Sequence, residues 1–277
     1  MLKFNYHSHS TFCDGKSTLE QMVQEAINKG LTYFGFSAHA PFPQENKFAL
    51  PYEHVQEYLD TAKMLKEKYR NQINLFTAME FDYIPTLCTN IRERAKEYNL
   101  DYIIACVHMV YSPNGLWFID GHDQSKYDDG LNQYFGGDIY KGVRAFYNQT
   151  NEMLQSTNPD IIGHFDKIRM HNRGRYFQTD EKWYTDLIME TLQLIKEKGT
   201  ICEVNTRGLY KGRSDDYFPE TRWIKKAVAM NIPLTISTDC HNVNEVGALF
   251  VECREHLKEC GAKEIYYFDG QWKTDKI

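Results

Sequence analysis

No apolar run in this sequence is longer than about six residues, so it holds no stretch able to span a bilayer as a helix. The first residues, MLKFNYHSH, lack the apolar core of a secretory signal. There is no C-x-x-C pair; the seven cysteines are odd in number and widely scattered. That pattern argues against a disulfide scaffold and suits free thiols in a reducing cytoplasm. An excess of positive charge is missing too. The formal net charge is −6, which argues against a nucleic-acid protein, since such a protein needs a basic face to neutralise phosphates. Linkers, repeats and low-complexity tracts are absent, and 277 residues suffice for one large α/β domain with a sizeable core.

What is present begins with YHSHSTFCDG, residues 6–15. It follows a short apolar strand, Leu2–Tyr6, and in a strand residues two apart project to one side. His7 and His9 therefore face one space, just before a turn at Asp14-Gly15. Ser17-Thr18-Leu19-Glu20 has the form of a helix capping box, and Gly30 closes that helix. Further along, apolar strands alternate with amphipathic helices. Strands are expected at 33–37, 73–79, 101–107, 160–163, 200–204 and 232–238, with a last short one at 264–268. Helices are expected at 52–69, 86–99, 138–156, 180–198, 219–230 and 244–260. Residues 109–137 carry Pro113, Asn114-Gly115 and Gly136-Gly137 and read as a long irregular excursion or lid. Alternation of this kind predicts a parallel sheet with helices outside. Seven such units point to a closed barrel, with its chemistry at the C-terminal ends of the strands.

The residues at those ends are His7 and His9, His39, Glu80, His108, His164, Asp239 and His241, with Asp14 in the first loop. Singly, each is as well explained as a hydrogen-bonded core residue. Together, on one rim of one barrel, they point to metal. Nine such groups exceed the needs of one four-coordinate ion, so two or three ions fit better. Glu80 is the natural bridge, because a carboxylate has two oxygens and an imidazole cannot span two metals. Nitrogen and oxygen donors suit zinc, iron(II) or manganese. Cys13, Cys106 and Cys240 are read as packing residues, with Cys106 expected to point away from His108. The other histidines, His54, His122, His171 and His256, fall in helices or loops outside this rim.

A cluster of this type activates a bridging water and clamps a phosphate. Arg169 and Arg207 are the candidate phosphate partners, because Arg offers bidentate, permanently charged contacts. Arg173, Arg175, Lys211 and Arg213 read as a solvated second tier. Asp239 and His241 are candidates for the general acid.

The chain resembles the polymerase-and-histidinol-phosphatase (PHP) superfamily over nearly its whole length. The resemblance is carried by HSHSTFCDG (7–15), SAHAP (37–41), AMEFDY (78–83), CVH (106–108), IIGHFDKIR (161–169), EVNTRG (203–208) and STDCH (237–241). It implies a distorted seven-stranded (β/α)7, TIM-like barrel and a trinuclear site. By that resemblance His7, His9, Glu80 and Asp239 hold the first metal, Glu80, His108 and His164 the second, and Asp14, His39 and His241 the third. Some members have His at the Asp14 position, so the Asp here favours a harder ion. Within the superfamily the motifs look like those of the monofunctional histidinol-phosphate phosphatases. Those hydrolyse L-histidinol phosphate to L-histidinol and inorganic phosphate in histidine biosynthesis, by a metal-bridging hydroxide. The alternatives are a phosphoesterase for another small phosphomonoester and a metal-binding barrel without turnover. The acidic net charge and the long excursion favour a small, enclosed substrate.

Overall fold

A computed structural model describes residues 1–44 and 46–277. In chain order the elements are β1 (Phe4–Asn5), α1 (Leu19–Asn28), β2 (Tyr33–His39), α2 (Val55–Tyr69), β3 (Asn74–Asp82), α3 (Ile91–Glu97) and β4 (Tyr102–Cys106). A hairpin, β5 (Met109–Ser112) with β6 (Gly115–Phe118), then leads to α4 (Gln124–Phe135) and α5 (Ile139–Thr157). The chain continues through β7 (Ile161–Ile162), α6 (Lys182–Lys198), β8 (Ile201–Asn205), the one-turn α7 (Arg207–Tyr210), α8 (Thr221–Ala229), β9 (Leu234–Ser237) and α9 (Phe250–Glu259). It finishes on a second hairpin, β10 (Glu264–Phe268) with β11 (Trp272–Lys276).

Seven parallel strands run in the order β1-β2-β3-β4-β7-β8-β9. A single parallel bridge, Ser8 with Cys240, joins the last strand's end to the first and nearly closes the ring. His9 N–H donates to the Cys240 carbonyl at 2.8 Å, and Thr238 N–H donates to Asn5 Oδ1 at 2.8 Å. The strands are buried on both faces, as the apolar run Tyr102–Cys106 requires. Register does the rest: His39 lies directly opposite Glu80, and Asp82 opposite Cys106. The barrel's other end is plugged by aromatic rings. Tyr6, Phe76 and Tyr102 meet Phe268 and Trp272 of the last hairpin at centroid distances of 4.9–6.0 Å. The Tyr6 hydroxyl bonds the Phe268 backbone at both its N–H and its carbonyl.

Several expectations shift. Residues 109–137 are not irregular: Pro113-Asn114 turns a hairpin in which Ser112 pairs with Gly115, and Trp117 anchors it to α4 by an Nε1–H bond to the Tyr127 carbonyl at 2.8 Å. The helix expected over 86–99 is only Ile91–Glu97, because Ile84 and Cys88 bridge across a turn in which Thr86 has φ +68°. The segment 244–260 is broken before Phe250, where Gly247 and Leu249 both have positive φ. The first capping box is Thr18 with Gln21, one residue later than expected. The Ser17 hydroxyl instead accepts from Val243 N–H at 3.2 Å. β11 carries no apolar alternation, and its hairpin partner alone was foreseen. No helix among the described residues is long and apolar enough to cross a membrane.

Candidate metal centre

Glu80 stands at the end of β3 with 1% of its surface exposed. Its two oxygens face different histidines. Oε2 lies 3.2 Å from His7 Nε2, 3.4 Å from His9 Nε2 and 3.1 Å from His39 Nδ1. Oε1 lies 3.1 Å from His164 Nε2 and 3.7 Å from His108 Nε2. Asp239 Oδ1 is 3.4 Å from His9 Nε2 and 3.8 Å from His7 Nε2. Asp14 Oδ1 sits 3.3 Å from His241 Nε2 and 3.8 Å from His39 Nε2. All nine residues singled out from the sequence thus converge, and they group as His7-His9-Glu80, His7-His164-Asp239, Glu80-His108-His164 and His9-Asp14-His39-His241.

The donors fit cations better than they fit one another. His7 Nε2, His9 Nε2 and His39 Nδ1 are buried with no hydrogen-bond partner among the described residues, although each faces the Glu80 carboxylate. An unpaired buried polar atom costs about 1–3 kcal/mol, and three aimed at one carboxylate mark a shared ligand position. Burial pushes the Glu80 carboxyl up, but His7, His39, His108 and His164 outweigh it and hold it well below the usual range. Burial, reinforced by His241 and His39, keeps the His9 ring neutral, the state that can donate a lone pair.

A second tier aims the rings. Glu203 Oε1 is 2.5 Å from His7 Nδ1, and its Oε2 accepts from His164 N–H at 2.9 Å. Asp82 lies 3.1 Å from His108 Nδ1 and accepts from His108 N–H at 2.7 Å. A carboxylate on Nδ1 fixes the tautomer that leaves Nε2 free. Sequence reasoning missed both. Asp82 was findable, because it lies two residues after Glu80 on the same strand and so on the same face. The same rule corrects Cys106, which is two residues from His108 and faces the site. Its thiol donates to Glu80 Oε1 at 3.2 Å, and burial together with Glu80 and Asp82 keeps it protonated.

Above the cluster opens a cavity of about 700 Å³. Asp239 and His241 both line it, as does Arg207. Arg207 Nη1 is tied to the Asp239 carbonyl at 2.7 Å and Glu245 Oε2 at 3.0 Å. Arg169 does not reach this cavity. Its guanidinium is spent on Asp166 Oδ2 at 2.9 Å, Ser214 Oγ at 3.0 Å and the Tyr217 carbonyl. The cation that does line it from that loop is Lys167, whose Nζ is 2.8 Å from Asp120 Oδ2. Lys211, Arg213 and His122, expected elsewhere, also stand on the wall. Phe118, Asp120 and His122 bring the 109–137 excursion to the site.

The family model of the PHP domain matches residues 5–207. The histidinol-phosphatase of Bacillus subtilis is 26% identical over 260 residues, covering 89% of this chain and 96% of that protein. The "Probable histidinol-phosphatase" of Schizosaccharomyces pombe is 28% identical over 279 residues, covering 94% and 87%. A Listeria monocytogenes crystal structure shares the fold at TM-score 0.81 and 20% identity, covering 90% of this chain and 99% of that one. Histidinol phosphate phosphatase from Lactococcus lactis, solved with zinc, L-histidinol and phosphate, overlays at TM-score 0.70 and 22% identity, covering 99% of each chain.

Proposed function

Because the chain belongs to the PHP domain family, we propose that it is a metal-dependent phosphomonoesterase that hydrolyses L-histidinol phosphate to L-histidinol and inorganic phosphate. The observation that carries this is Glu80, whose two oxygens face two separate sets of imidazoles beneath a cavity walled by cations. Relatives named histidinol-phosphatase and probable histidinol-phosphatase match nearly the whole chain. In this reading His7, His9, Glu80 and Asp239 hold one ion and Glu80, His108 and His164 a second. Asp14, His39 and His241, joined by His9, hold a third. The imidazole and carboxylate donors suit zinc, iron or manganese. Divalent ions bound there supply positive charge to the phosphoryl oxygens and an acidified water for attack at phosphorus.

The chain's own groups do the rest. Glu203 and Asp82 keep the rings of His7 and His108 turned inward. Arg207, pinned from behind, and Lys167 meet the charge that spreads over the phosphoryl oxygens. The excursion's Phe118, Asp120 and His122 enclose the organic part of a small substrate. The test is phosphate release from a panel of phosphomonoesters by metal-replete protein. Histidinol phosphate is expected to give the highest kcat/KM. Preference for a nucleotide or sugar phosphate would reassign the substrate, and no release from any ester would leave a metal-binding barrel without turnover.

A further inference from the structure

Five carboxylates line the cavity among the described residues. Asp14, Glu80 and Asp239 belong to the donor cluster. Glu245 is fully engaged, by Lys211 Nζ at 2.8 Å, Arg207 Nη1 at 3.0 Å and His241 N–H at 2.8 Å. Asp120 is different. It follows β6 on the excursion, and among the described residues Oδ2 faces two basic side chains, Lys167 Nζ at 2.8 Å and, farther off, His108 Nε2 at 3.9 Å. Oδ1 has no hydrogen-bond partner among the described residues. The side chain keeps 19% of its surface open, beside the cavity it lines.

We propose that Asp120 reads the ammonium group of the substrate and that Asp120 and Lys167 together match its pair of opposite charges. This rests on the reaction assigned above. In histidinol phosphate the ammonium nitrogen is only three bonds from the ester oxygen. A carboxylate that binds it must therefore stand beside the phosphate, not at the cavity mouth. Asp120 Oδ2 meets that condition, lying 3.9 Å from His108 Nε2 in the donor cluster. Lys167 faces the phosphate and Asp120 the ammonium, so four charges alternate in sign. The same carboxylate works against other substrates. A phosphomonoester without an amine leaves Asp120 with Lys167 alone and its negative charge close to a dianion, which is a repulsive element. Asp120 is thus a specificity residue for an amino-alkyl phosphate.

The experiment compares histidinol phosphate with its desamino analogue, 3-(imidazol-4-yl)propyl phosphate, on wild type and Asp120→Asn, with metal content and melting temperature measured for both proteins. Wild type is expected to prefer the amine-bearing ester by on the order of 10- to 100-fold in kcat/KM, the value of one charge-assisted contact. In Asp120→Asn that ratio should fall towards unity. A ratio that survives, because both esters slow equally, would mean that Asp120 acts only by holding Lys167, and would overturn the proposal. Wild type showing no preference between the two would also overturn it, while leaving the phosphatase assignment standing. Wild type hydrolysing neither would fail that assignment itself. Should Asp120→Asn lose its melting transition, the shorter Asp120→Ser carries the same comparison.

Discussion

Glu80 gathers five imidazoles from four places in the chain, and its charge does so more than its shape. Glu80→Gln keeps the volume and removes the anion. It is expected to lower kcat by on the order of 100-fold or more, with metal content reduced and the fold retained by circular dichroism; an active Glu80→Gln would show that this carboxylate does not bridge. The two arginines separate cleanly. Arg207→Ala should lower kcat/KM for histidinol phosphate by about 30- to 1,000-fold, or roughly 2–4 kcal/mol. Arg169→Ala should instead leave Asp166 buried without its partner, costing about 3–5 kcal/mol of stability. Its melting temperature falls while KM for the ester stays within a few-fold. Steady-state kinetics beside thermal melts decide between the two. The convergence of the nine residues was legible because period-two geometry and strand ends locate them without any knowledge of packing. Arg169 was misplaced because five residues of irregular chain past His164 have no such period. A charge there can turn either way, and Lys167, two residues earlier, takes the cavity side.

At the level of elements, the excursion between β4 and α5 is the part the sequence described least well. Pro113, Gly115, Gly136 and Gly137 read as irregularity, yet Pro113 lies in the hairpin turn, Gly136 caps α4, and two further glycines serve packing. A Cβ on Gly130 would come 2.4 Å from Trp117 Cδ1, and one on Gly142 would come 2.6 Å from Trp117 Cζ3. Both helices are notched to seat one fully buried indole. Trp117→Ala should cost about 3–5 kcal/mol. Because β6 runs on to Phe118, Asp120 and His122, the variant should raise KM more than it lowers kcat. A melt together with a full kinetic titration tests this; unchanged KM would detach the excursion from substrate binding. The barrel strands were foreseen to within a few residues because each lies in a short, largely apolar segment between helices. β11 escaped because its register comes from β10 and not from its own residues.

Across the whole molecule, the donor cluster stitches β1, β2, β3, β4, β7 and the segment after β9 into one ring. Stripping divalent ions should leave acids and imidazoles buried without their common partner. The chelated protein should lose activity and melt on the order of 5–10 °C lower, with both recovered on adding zinc or manganese. A chelator-resistant enzyme would refute the metal assignment.

The bridge from Ser8 to Cys240 also sets an order of events during synthesis. His7 and His9 are synthesised about 230 residues before Asp239 and His241. β1 pairs early with β2, but its other neighbour does not yet exist. The nascent chain therefore carries unfinished ligand sets until β9 and the segment after it have been made, and only then can the full site form. Metal loading in the cell should thus follow synthesis of β9: chains stalled before it should fail to retain the divalent metal expected in the longer chain.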